Sequence, residues 1–231
     1  MTWNQWCSTS IDRRILESTS DFFLALDLGQ KRDFTALCLV ERRVEMFDAK
    51  DPVTWDWLRR TIYHVRHLER LPLGTTYPDV VERVGKLVRS PSMLGRCELV
   101  VDATGVGAAV VDLLRAADLR CPVVPVTITG GDAAVMVGQA WRVPKRDLIV
   151  GLQVMFEQGE VEIAGSIPET EKFVKELMGM QVKISAAGND QYGSWRDGEH
   201  DDLVLAAALG CWRAKRYVRW DLHGSQPLPG M

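Results

Sequence analysis

The chain has 231 residues, 46% of them hydrophobic and 26% charged, which is ordinary for a globular protein and enough for one domain with a full core. A formal net charge of −3 and a pI near 5.9 do not mark it as a bulk-basic nucleic-acid binder, although a site that collects carboxylates lowers the pI by itself. No apolar run approaches the roughly 20 residues of a bilayer span, and the start MTWNQWCSTSIDRR lacks a signal-peptide core, so a cytoplasmic protein with no membrane partner is expected.

Residues 1–20 are polar with two isolated tryptophans and are expected to form an extension, followed by one domain over 21–220 and a mobile tail, DLHGSQPLPGM, over 221–231. FFLALDL from Phe22 and FTALCLVERR from Phe34 flank the turn GQKRD and predict a β-hairpin. A third strand is expected to end near Phe47, with a helix from Asp51 or Thr54 because Pro52 suits a first turn. PDVVERVGKLVRS from Pro78 places Val80, Val81, Val84, Leu87 and Val88 on one helical face.

CELVVDATGVGAAVVDLLRAADL then CPVVPVTIT reads as strand, glycine turn, helix and parallel strand, a β-α-β unit. After a glycine-containing stretch from Gly130, a helix is expected from Lys145, a short strand after Gly159 and an amphipathic helix over 168–182. A hairpin-like excursion around Ala187, Gly188 and Asn189 and a strong C-terminal helix, HDDLVLAAALGCWRAKRY, complete the order. The whole predicts an α/β fold, a mixed sheet flanked by helices on both faces. The five cysteines, Cys7, Cys38, Cys97, Cys121 and Cys211, are scattered and never spaced CxxC, which argues for reduced, mostly buried thiols rather than disulfides or a zinc site.

Three acidic spots fall at predicted sheet edges. Asp27 stands inside an apolar strand, where a carboxylate is costly unless paired, hydrogen-bonded or metal-bound, the plain alternative being a turn aspartate beside Gly29. Asp102 ends a buried strand, where α/β sheets place ligands, or it caps the next helix. Asp201 and Asp202 open the last helix, and capping needs only one of them. Three or four acids round one point are unstable without cations, and hard cations such as magnesium or manganese take oxygen ligands. Two ions ~3.5–4 Å apart suit in-line hydrolysis of a phosphodiester without a covalent intermediate.

The strings ALDLGQKRDFTALCLVE, LVVDATGVGAAVVDLL, VPKRDL and HDDLVLAAAL, in this order, resemble the nuclease domain of the tailed-phage terminase large subunit, a member of the RNase H and RuvC-like superfamily. The resemblance runs from about Asp21 to Arg216 and implies an RNase H-like mixed sheet, with initial antiparallel hairpin strands and a later parallel strand. It also implies catalytic acids at Asp27, Asp102 and Asp202, and Mg2+ or Mn2+, two ions, held by Asp27, Asp102, Asp201 and Asp202. Asp202 is favoured over Asp201 because relatives carry a further acid one turn later, where this chain has Leu205.

Asp33 matches a recurring acid of the family's first hairpin, as an auxiliary ligand or a turn aspartate, and His200 is a second auxiliary candidate. Lys31, Arg32, Arg142, Lys145 and Arg146 are candidate contacts to DNA phosphates, with Arg213, Lys215, Arg216 and Arg219 as further ones or simply favourable helix-end charges.

The activity implied is cutting of concatemeric double-stranded DNA during genome packaging, in the cytoplasm of a phage- or prophage-bearing host. No GxxxxGKS/T motif is present, so the expected partners include a separate packaging ATPase, a small terminase subunit or a portal. Competing readings are a RuvC-like junction resolvase, a non-catalytic relative, and an actin-like or sugar-kinase-like ATP-binding domain, whose phosphate turns DLG and VVDATGVG imitate.

Overall fold

The computed structural model describes residues 14–29, 33–105, 107–184, 190–193 and 200–218. Its strands are β1 (Ile15–Asp27), β2 (Ala36–Lys50), β3 (Trp57–Arg70), β4 (Cys97–Asp102), β5 (Val123–Thr129), β6 (Val135–Val137), β7 (Ala140–Pro144), β8 (Val161–Ile163), β9 (Gln181–Ile184) and β10 (Asp190–Gly193). The helices among the described residues are α1 (Tyr77–Val88), α2 (Gly107–Ala116), α3 (Lys145–Glu157), α4 (Thr170–Gly179) and α5 (Asp202–Arg216).

One sheet runs in the order β6-β7-β5-β4-β1-β2-β3-β8, and β9 and β10 form a separate antiparallel pair; the predicted excursion around Ala187, Gly188 and Asn189 lies outside the described residues. β1, β2 and β3 are antiparallel neighbours, while β4 lies parallel to β1, β5 to β4 and β7 to β5. The expected hairpin followed by a β-α-β unit is therefore present, and the sheet is mixed. Alternation along β1 divides the core: Phe23 and Ala25 face α3, α4 and α5, whereas Leu24 and Leu26 face α1 and α2. Helices thus cover both faces, and among the described residues none is long and apolar enough to cross a membrane.

Two expectations are corrected. β2 continues unbroken to Lys50, so no separate third strand ends at Phe47, and the segment expected as a helix from Asp51 or Thr54 is a turn followed by β3. The turn is set by Asp51, whose Oδ1 accepts the N–H groups of Val53 and Thr54 at 2.8 and 2.9 Å. The helical look of β3 arises from a bulge. Leu39 pairs with His67 but Val40 with Val65, so Arg66 is an extra residue. That residue resets the two-residue phase and lets Val65 and Leu68, three apart, enter the same core. The glycine-containing stretch after Gly130 also holds an unforeseen hairpin, β6–β7, at one edge of the sheet. β1 begins at Ile15, so its first residues lie within the expected extension; residues 1–13 and the tail 221–231 lie outside the described residues.

α5 is the element that matters most for the site. Its buried face is built from small residues, Ala206, Ala207, Ala208 and Gly210, which let the helix lie close on β1 and β2. A Cβ at Gly210 would stand 2.9 Å from Val40 Cγ2 and 3.4 Å from Ala25 Cβ, so the approach requires glycine there. Arg213, Lys215 and Arg216 occupy its last turn, where positive charge suits the helix dipole. Cys38, Cys97 and Cys211 are buried and free, and Cys121 is half-buried and free.

Candidate metal centre

The carboxyl ends of the neighbouring parallel strands β1 and β4 carry Asp27 and Asp102, and the N-terminus of α5 carries Asp201 and Asp202. Asp27 is 7% exposed. Burial, then the charges of Asp102, Asp202 and Asp201, push its carboxyl well above the usual carboxylate range, and Lys145 partly offsets them. Asp102 is raised by burial as well, opposed by hydrogen bonds from Thr104 and from Asp27. Burial pushes Asp202 up to about 6 against the opposing charges of Arg70 and His200. The three predicted carboxylate positions therefore act on one another, as a shared site requires.

Each acid is held differently. Asp102 Oδ1 accepts the backbone N–H and the hydroxyl of Thr104 at 2.8 and 2.5 Å, and Thr104 Oγ1 in turn accepts the N–H of Ile128 at 2.9 Å. α2 starts at Gly107, so Asp102 closes its own turn and is not the cap of that helix. Asp201 occupies the N-cap position of α5 without a side-chain capping bond, and its Oδ2 accepts from Lys145 Nζ at 2.8 Å. Asp202 Oδ2 lies 3.7 Å from Arg70 Nη2 and 3.7 Å from His200 Nδ1 and is buried without a hydrogen bond.

An orphaned carboxylate oxygen, a buried carboxyl held above its ordinary range and an all-oxygen donor set fit a hard divalent cation. In the present side-chain arrangement, no three His, Cys, Asp or Glu groups among the described residues are set to hold one ion. Asp201 is instead paired with Lys145, and Asp202 lies 3.7 Å from Arg70.

Lys145, the predicted phosphate contact, pairs with Asp201 inside the acidic cluster. Arg142 and Arg146 are exposed, and Lys31 and Arg32 lie outside the described residues. Arg213 grips Glu98 with two hydrogen bonds of 2.7 and 3.1 Å, Lys215 bonds Glu160 at 2.8 Å and Arg216 covers the Trp212 ring. Asp33 is exposed and its charge bears on Asp202. His200 packs edge-on against Phe34, ring centroids 5.0 Å apart. Sequence reasoning missed Arg70 at the end of β3 and Glu176 on α4, which bond to each other beside Asp202.

Sheet order and helix placement define an RNase H-like fold. More closely, the fold is that of large terminase nuclease domains. The large terminase nuclease from thermophilic phage G20c with bound magnesium is 23% identical, with 87% of each chain covered and a TM-score of 0.55. A point mutant of the nuclease domain of the large terminase subunit of bacterial virus Sf6, with manganese and beta-thujaplicinol, is 14% identical, covers 83% of this chain and 87% of its own, and gives a TM-score of 0.53. No protein-family model and no curated protein sequence matches the chain.

Proposed function

We propose that this chain is a metal-dependent endonuclease acting on double-stranded DNA, of the kind that cuts concatemeric viral DNA during packaging. The observation that carries the reading is the convergence of Asp27, Asp102, Asp201 and Asp202 from two parallel strand ends and one helix start. It is supported by the likeness of fold to terminase nuclease domains solved with magnesium and with manganese.

In this reading Asp27, Asp102 and Asp202 hold the metal, Asp201 completes the donor set, and Asp33 and His200 border it. The chemistry that two bound divalent cations supply is activation of a water for in-line attack and stabilisation of the leaving 3′ oxygen. Thr104 holds one oxygen of the Asp102 carboxylate through two hydrogen bonds, and Asp102 is also hydrogen-bonded to Asp27. Lys145 neutralises the cluster until substrate arrives and then offers its ammonium to a phosphate oxygen, with Arg142 and Arg146 tracking the backbone outside. ATP-driven movement of DNA is assigned to a packaging ATPase, acting with a small terminase subunit or portal.

The test is incubation of supercoiled plasmid with the protein and magnesium, manganese or EDTA, with Asp27→Ala as control. Metal-dependent nicking and linearisation lost in the variant is expected; intact plasmid in every lane overturns the reading. A four-way junction run beside linear duplex separates this activity from that of a junction resolvase.

A further inference from the structure

α5 begins in a way that its own sequence does not explain. Aspartate at an N-cap ordinarily accepts a backbone N–H of the first turn, yet Asp201 makes no such bond and Asp202 Oδ2 has no hydrogen bond at all. The acceptor comes from another helix: Glu176 Oε2 on α4 takes the N–H groups of Leu203 and Val204 at 3.0 and 3.3 Å. Its other oxygen, Oε1, binds Arg70 Nη2 from the end of β3. Arg70 is fixed a second time, with its guanidinium 4.9 Å over the Phe34 ring, and Phe34 in turn packs on His200. The side chains of Glu176, Arg70 and Asp202 are 8%, 13% and 10% exposed, so the pair is largely withdrawn from water, where losing one partner leaves a poorly solvated charge.

We propose that Glu176 and Arg70 are a positioning pair that caps α5 from outside, and so releases Asp201 and Asp202 from capping and aims them at Asp27 and Asp102. Either aspartate, if it capped the helix, would turn its carboxylate back onto the backbone and leave the cluster. Glu176 takes over that task, and its charge pins Arg70 at 3.7 Å from Asp202 Oδ2. Neither residue touches the reacting atoms. The catalytic consequence rests on the nuclease reading above; the structural one does not.

The experiment compares the full chain with Glu176→Ala and Glu176→Gln, using steady-state cleavage of linear duplex with Mg2+ and hydrogen–deuterium exchange across residues 201–206. Glu176→Ala is expected to lower kcat by about 10–100-fold, the usual cost of an outer partner to a metal ligand, with KM for DNA within about twofold. Exchange at 201–206 is expected to quicken at least about tenfold while β1 and β4 keep the parent rate, because the first turn loses its acceptor. Glu176→Gln keeps an amide oxygen for the two N–H groups but leaves Arg70 with Asp202 as its remaining counter-charge. It should hold parental exchange and lose less kcat. A parental kcat in Glu176→Ala, or unchanged exchange at 201–206, overturns the proposal. If Glu176→Ala does not fold, Glu176→Gln decides: reduced kcat at parental melting temperature supports the pair and parental kcat overturns it. A parent that cuts no DNA counts against the nuclease reading alone, and the exchange comparison then decides the capping role by itself.

Discussion

Lys145 Nζ, on the first residue of α3, lies 2.8 Å from Asp201 Oδ2, on the cap of α5, and so joins two helices across the mouth of a carboxylate cluster. The same ammonium lowers the proton affinity of both Asp27 and Asp102. Replacing it, as in Lys145→Met, raises both pKa values, and metal competes with protons for these oxygens. The ratio of variant to parent Mn2+ affinity, measured by calorimetry, is therefore expected to be smaller at pH 6 than at pH 8. An equal ratio at the two pH values would show that the lysine acts by another route.

The cluster also sets a pH dependence of stability. Asp27, Asp102 and Asp202 all have raised pKa values in the folded chain, so the folded state holds their protons more tightly than the unfolded state. Their contribution favours folding below the unfolded value, about 3.9, and is lost as pH rises through the folded values, for Asp202 about 6. Metal-free protein is expected to melt at a higher temperature at pH 5 than at pH 7.5. Added Mg2+ should raise Tm at pH 7.5. Asp27→Asn removes the most strained charge and should raise the metal-free Tm at pH 7.5, at about 2–4 °C per kcal/mol gained for a domain of this size. It should also abolish cleavage. A variant that melts lower than the parent at pH 7.5 would mean that Asp27 is satisfied as an anion without metal.

The acids were legible because each breaks a local rule. Asp27 interrupts an apolar strand, Asp102 ends one, and Asp201 and Asp202 double a position that needs one aspartate. Arg70 and Glu176 break none: arginine at a strand end and glutamate on an amphipathic helix are ordinary, and only the docking of β3, α4 and α5 makes them partners. β3 was misread because its bulge at Arg66 counterfeits helical spacing, and β6–β7 because three-residue and five-residue strands carry too little period to notice. Lys145 was found as a basic residue, but its partner was not, since Asp201 is 56 residues away in sequence.

Thr104 is the simplest test of how far the site depends on orientation. Both of its donors fall on one oxygen of Asp102, and its hydroxyl is anchored by Ile128 N–H. Thr104→Val keeps the shape and the backbone donor but removes the hydroxyl bond. Mn2+ affinity is expected to fall by about 10–100-fold, and Thr104→Ser to restore most of it. If Thr104→Val binds Mn2+ as the parent does, the backbone turn alone orients Asp102.

Gly107 opens α2 directly behind Asp102, and a Cβ there would stand 2.4 Å from the Asp102 carbonyl oxygen and 3.1 Å from its carbonyl carbon. Those atoms are backbone at the end of a strand paired on both sides, so they cannot swing aside as a flexible side chain would. Gly107→Ala must shift either the end of β4 or the start of α2. Overpacking of this kind typically costs about 1–3 kcal/mol, which a domain with a core on both faces of its sheet can tolerate. The carboxylate of Asp102, however, moves with the strand end, and metal ligation tolerates only a few tenths of an ångström. Gly107→Ala is therefore expected to fold, with Tm lowered by several degrees, and to lose a far larger share of its Mg2+-dependent cleavage than of its stability. Melting curves and plasmid cleavage on one preparation decide the matter: parental cleavage at a reduced Tm would place the strain in α2 and away from the metal centre.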